Sequence, residues 1–306
     1  MICPEGRPPV RTVDTMGSVP RSPEDAVALE SLTARLKVIL PETYHDCMED
    51  IRPNPMGSAG LKYDEQGRVA WNQIWNSFCD LAMAGGPPHK GKLLQPNPEQ
   101  PNENSAEIVR GIQMATGLEA EPSDKPGWLR VNTKDNTMAA WLARAITMEN
   151  VAVQLQGDSL SLPTSPHYTT AKEVKSVIVT VAKTHHYWSS HMSAEQQAAI
   201  AQTFAAADQL HPLLQPDYAS PLVSPIKAPK TLHPADSAYP GWQGFQCPNL
   251  WAAVWMMRAL AVSNVLARRE SNVLFLPTNP QSDPTGTIAS QALHQVHHLA
   301  GVHGIL

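Results

Sequence analysis

Six of the twelve histidines in this 306-residue chain fall in two matching runs, His185-His186-Tyr187-Trp188-Ser189-Ser190-His191 and His297-His298-Leu299-Ala300-Gly301-Val302-His303. Neutral imidazole is a good ligand for zinc, copper, iron and nickel, and three imidazoles on one ion leave a position open for water or substrate. Residues five or six apart lie on different faces of an α-helix, so each trio converges only if its helix ends between the histidines. Ser189-Ser190 and Gly301 are the expected ending points. His294 stands with His297 and His298 at i, i+3 and i+4. The competing structural reading is that histidines near a helix C-terminus interact with the last carbonyls and the dipole.

Two arginines carry the second signal. Arg258 is the lone charge in Trp251-Ala-Ala-Val-Trp-Met-Met-Arg-Ala-Leu-Ala-Val, and Arg144 occupies the matching place in an earlier apolar stretch. A buried guanidinium must be paired, so each is expected to face a protein carboxylate or to hold an anionic ligand. A third candidate is the run His45-Asp46-Cys47-Met48-Glu49-Asp50. As a helix it would set Asp46, Glu49 and Asp50 on one face, available as acid and base, as further metal ligands, or merely as a solvated surface. The loop from Gly85 to Lys92, with His89 and Lys90, could grip an anion through backbone N–H groups, but matches neither the P-loop nor the dinucleotide fingerprint.

The elements that must position these groups follow from pattern. Ser22-Pro23-Glu24-Asp25 places a capping serine before a proline at the first helical position, predicting a helix over about 23–39. Residues 60–71 read as a hairpin, with helices near 72–83 and within 105–118. From Pro126 and from Pro240 the chain repeats itself at one constant offset. Pro126-Gly127-Trp128, Trp141, Arg144, Asn150-Val151 and Leu162-Pro163-Thr164 return as Pro240-Gly241-Trp242, Trp255, Arg258, Asn264-Val265 and Leu276-Pro277-Thr278. Each copy reads as strand, apolar helix, hairpin with its turn at Gly157-Asp158 or Ser271-Asn272, and a second helix. Asn150 and Asn264 read as helix-end residues. A helix over about 193–209 and a proline-rich connection through 240 join the copies.

The expected fold is therefore α+β: an internally duplicated β-α-β-hairpin-α unit with pseudo-two-fold symmetry. The expected divisions are an arm at 1–21, an N-terminal module at 22–125, repeats at 126–192 and 240–306, and a connection at 193–239. Trp75 and Leu94-Gln95-Pro96-Asn97-Pro98 hint that the N-terminal module is a third, divergent copy. The tryptophans read mainly as core residues, Trp188 excepted, because the second histidine run has Ala300 in its place.

The net charge of −5 argues against nucleic acid as a partner, and no apolar run is long enough to span a bilayer. Cys3, Cys47, Cys79 and Cys247 form no CxxC pair, which suits reduced thiols in a cytoplasm. Three functions are weighed on these grounds. The leading one is a hydrolytic or redox enzyme holding Zn, Fe or Cu through His185, His186, His191, His297, His298 and His303. In it Arg144 or Arg258 orients a small anionic molecule, and Asp46 and Glu49 serve as acid and base. The second is a metal-free small-molecule binding protein, and the third a subunit that buries apolar faces such as Met256-Met257 in a homo-oligomer.

Overall fold

The computed structural model describes residues 22–50, 60–75, 92–100, 102–220, 226–236 and 239–306. In chain order the elements are α1 (Pro23–Ile39), α2 (Trp71–Trp75), α3 (Asn104–Thr116), β1 (Ala120–Pro122), β2 (Trp128–Asn132), α4 (Asn136–Met148), β3 (Gln154–Gln156) and β4 (Ser159–Pro163). There follow α5 (Lys175–Ser190), α6 (Ala194–Asp208), β5 (His233–Ala235), β6 (Trp242–Gln246), α7 (Leu250–Ala261), β7 (Arg268–Glu270), β8 (Val273–Pro277) and α8 (Thr287–His303). The Gly85 to Lys90 loop, most of the helix expected over 72–83, Cys3 and Cys79 lie outside the described residues.

Mixed helix and antiparallel sheet is the architecture, as the α+β expectation required. The chain divides into two compact units, a central one at Arg52–Ala198 and a composite one made of Met1–Ile51 and Ala199–Leu306. The first boundary falls inside the stretch 22–125 that patterning treats as one module. The reason is α1. Ser22 and Asp25 cap it reciprocally, and its buried face of Leu32, Leu36 and Ile39 packs on α7 and α8 rather than on the next elements in sequence.

The central unit holds a four-stranded antiparallel sheet in the order β1-β2-β4-β3, and the composite unit one in the order β5-β6-β8-β7. The registers correspond: Trp128 faces Pro163 in one sheet and Trp242 faces Pro277 in the other. The edge strands β1 and β5 are absent from the sequence expectation. Each is three residues long and contains a proline, too short and too irregular to show a period of two.

Within each unit the apolar helix that follows the central strand is built alike. Asp135 caps α4 through Met138 N–H at 2.9 Å, and Asn249 caps α7 through Ala252 N–H at 2.8 Å. Past each helix an asparagine takes left-handed φ, 58° at Asn150 and 56° at Asn264. Leu94 then bridges to Val151 in parallel fashion, and Leu214 to Val265.

One glycine per unit is required by this arrangement. Gly127 (φ +81°) and Gly241 (φ +76°) lie so close to another backbone segment that an added Cβ would stand 2.8 Å from the Asn97 backbone or 2.7 Å from the Asp217 carbonyl oxygen. Gly127→Ala and Gly241→Ala are each expected to lower stability by at least about 2 kcal/mol, combining the left-handed φ with a backbone clash. Urea unfolding of the two variants checks this; a neutral effect at either position would contradict the close approach.

Candidate functional site

The two histidine runs end differently. In the first, α5 stops at Ser190 and His191 follows in non-helical geometry at φ −121°, so the expected break is present. In the second, α8 runs through Gly301 to His303 and stops only at Gly304 (φ +85°). The break expected at Gly301 is therefore absent, because that residue is accommodated in an otherwise regular, well-buried helix and the left-handed cap falls three residues later.

The consequence is dispersal. His297 Nε2 lies 2.7 Å from Thr231 Oγ1, His298 Nε2 lies 2.7 Å from Asp25 Oδ1, and His303 stacks on Trp255 with ring centroids 5.4 Å apart. In the first run His186 and His191 face each other at 3.2 Å between Nε2 atoms, while His185 Nε2 turns to Ser189 Oγ, also at 3.2 Å. Among the described residues no three His, Cys, Asp or Glu side chains gather in a way that could hold a metal ion.

The arginines occupy matching, buried places, 2% exposed at Arg144 and 1% at Arg258. Each bonds backbone carbonyls among its partners. Arg144 Nη1 donates to the Ala140 carbonyl at 2.8 Å; Arg258 Nη1 donates to the carbonyls of Met48 at 2.5 Å and Asp50 at 3.0 Å, with its guanidinium 4.9 Å from the centre of the Tyr44 ring. Burial pushes Arg258 down to about 10, opposed by Tyr44, Asp50 and Glu49, so it stays charged at neutral pH.

The acidic run forms no helical face. After a 3₁₀ turn at Glu42–Tyr44 it continues as successive turns, Cys47 N–H to the Tyr44 carbonyl and Asp50 N–H to the Cys47 carbonyl, with Pro41 setting the entry. Asp46 is exposed while Glu49 is buried, 3.7 Å from His303 Nε2. Glu49 and His303 are thus brought near one another, and Glu49 and Arg258 are both buried.

An accessible site lies elsewhere, in the central unit. A cleft of about 460 Å³ opens between the turn from α3 to β1 (Thr116 to Glu119), the turn from β2 to α4 (Asn132 to Asp135), and the C-terminal end of α5, which contributes His185, Trp188 and Ser189. Met138 and Gln197 complete the lining. Its walls are firm. Gly117 (φ +74°) ends α3, Thr133 Oγ1 donates to the Asp158 carbonyl at 2.7 Å, and Gln197 Nε2 donates to the Trp188 carbonyl at 2.9 Å. Trp188 is held from behind by Trp141, with centroids 5.7 Å apart.

No match to this chain was found among protein-family models, curated proteins or solved structures. Chemistry must therefore be read from the cleft alone. Its size is that of a small-molecule pocket, and it offers hydroxyls, amides, an imidazole, one ammonium (Lys134) and two carboxylates (Glu119, Asp135) around an indole. Sequence reasoning found His185 and singled out Trp188. It missed the turn residues, which carry no motif and come together only through the fold.

Burial, then the neighbouring His186, hold His185 below the ordinary histidine pKa, so its imidazole is neutral at pH 7 and can accept a proton or a hydrogen bond. As pH falls through the ordinary value of about 6.5, the unfolded chain takes up this proton before the folded one does. Stability is therefore full above that value, declines toward the depressed folded pKa, and levels off below it. The thermal midpoint of His185→Gln is expected to be less sensitive to acidification from pH 7.5 to 5 than that of the parent. An unchanged pH slope would contradict a desolvated imidazole.

Proposed function

We propose that the central unit is a binding module for a small polar molecule, which enters the cleft and stacks or packs on Trp188 while His185, Ser189, Thr133 and Lys134 fix its orientation. The observation that carries this reading is the coincidence of a pocket of ligand size with a neutral, partly desolvated imidazole and an aromatic floor at one helix end. Charges of both signs along the wall favour a ligand that carries both an anionic and a cationic or donor group, in place of a purely anionic one. We infer too that the two units descend from one duplicated ancestor. Support comes from the constant offset, the matching strand orders and the paired Asn150 and Asn264 turns. In that view α1 does for α8 what α3 does for α5.

The test is a thermal-shift screen of the full chain against a library of polar metabolites, in chelator, with Ser189→Trp as the control. Ser189 is exposed at the cleft, so the new indole fills the space without entering the core. Compounds that stabilise the parent should fail to stabilise Ser189→Trp. Equal stabilisation of both proteins, or of neither by any compound, would overturn the reading.

A second reading has one observation in its favour. Ser189 Oγ lies 3.2 Å from His185 Nε2, a hydroxyl nucleophile within reach of a neutral base in an open cleft, as hydrolysis of an ester or amide requires. Under it, Ser189→Ala keeps binding and loses turnover.

A further inference from the structure

We propose that His186 and His191 form a two-imidazole site for a divalent transition metal, copper(II) foremost, at the C-terminal end of α5. The end of the helix creates it. His191 lies just beyond Ser190, its N–H donating to the Tyr187 carbonyl at 3.0 Å, and this turn brings its ring back against His186. The two rings stand edge to face, with centroids 5.0 Å apart and Nε2 atoms 3.2 Å apart.

That spacing is what one ion needs. Two nitrogens each roughly 2.0–2.1 Å from a metal, on adjacent corners of a square or a tetrahedron, stand roughly 2.9–3.4 Å from each other. Tyr187 stacks on His191 at 5.9 Å and 12°, fixing the plane of the more exposed ring. Because His191 is exposed and His186 half-buried, water can supply the remaining ligands. Nitrogen donors with open positions follow an affinity order that peaks at copper(II), ahead of nickel and zinc. His185, one residue away, belongs to the cleft, and the metal site does not depend on the reading given for that cleft.

The experiment is titration of the tag-free full chain with copper(II) chloride in glycine buffer, followed by electron paramagnetic resonance. Tight binding of one equivalent, with splitting from two imidazole nitrogens, is expected. His186→Gln and His191→Gln should each weaken it at least tenfold, whereas His294→Gln, on α8, should not. His191 is exposed past the end of its helix, so His191→Gln tests the site even where His186→Gln disturbs folding, which circular dichroism would report. Copper affinity unchanged in His191→Gln, or equal in the parent and the double variant, would overturn the proposal and leave the 3.2 Å contact as one ring donating an N–H to the other.

Discussion

Replacing Lys183 with methionine is expected to destabilise the central unit by about 3–5 kcal/mol. Lys183 Nζ and Glu149 Oε2 are 2.8 Å apart, and both side chains are 0% exposed. The pair joins α5 to the residue directly after α4, two elements that also share the stacked rings of Trp141 and Tyr187. Removing the ammonium takes a 2.8 Å counter-charge from a carboxylate that water cannot reach, and the loss of that pairing sets the size of the effect. The double variant Lys183→Met/Glu149→Leu should recover most of the loss, since two apolar groups of similar volume need no compensation. Urea unfolding followed by tryptophan fluorescence reads both. A single variant within about 1 kcal/mol of the parent would show that the pair is not sealed from solvent.

A comparable effect is expected in the composite unit from Arg258→Ala, again about 3–5 kcal/mol. This guanidinium bonds the carbonyls of Met48 and Asp50 and lies over the Tyr44 ring, so it fastens the turns of residues 41–50 onto α7. Truncation removes the donor from the buried Met48 carbonyl and the part-buried Asp50 carbonyl and opens a cavity beside the Tyr44 ring. The backbone amides of Tyr44 to Asp50 should lose hydrogen-exchange protection in step with the fall in stability. Loss of stability with protection in 44–50 unchanged would place the role of Arg258 elsewhere in the unit.

Where the sequence carried local signals, the fold could be read. Ser22-Pro23-Glu24-Asp25 predicts α1 because capping is a local matter of a few side chains and N–H groups. Gly157 and Ser271 mark their hairpins because both turns demand positive φ, 62° and 54°. What could not be read was set by contacts distant in sequence. The partnership of α1 with α8 depends on which apolar face accepts its buried stripe, and patterning does not choose among such faces. Leu94-Gln95-Pro96-Asn97-Pro98 reads in sequence only as a hint of a third copy, yet Leu93-Leu94-Gln95-Pro96 recurs at Leu213-Leu214-Gln215-Pro216. In the fold both stretches do one job, bridging to Val151 and Val265. The shared Leu-Leu-Gln-Pro run is the local signal of that correspondence.

The site was legible in the same uneven way. Histidine spacing pointed to the end of α5, where one imidazole does line a cleft and two others meet. It also pointed to α8, where the unbroken helix sends His297, His298 and His303 to Thr231, Asp25 and Trp255. Spacing constrains angles along a helix, but whether the helix ends depends on capping and burial beyond it. Arg144 and Arg258 were correctly expected to be buried, since an apolar helix hides whatever it carries. Arg144 bonds a carbonyl of its own helix, and Arg258 bonds carbonyls of the turns at 44–50, contacts that helical spacing does not reveal.

The central claim, a small-molecule site at the end of α5, is tested most directly by nuclear magnetic resonance of protein labelled at tryptophan indole N–H groups and methionine methyls. Met138 and Trp188 line the cleft, whereas Trp255 and Met256 belong to the core of the composite unit. On addition of a stabilising metabolite, the Trp188 and Met138 signals should move along a saturable curve while those of Trp255 and Met256 stay in place. Saturable shifts at Trp255 and Met256 with Trp188 and Met138 unmoved would contradict the account.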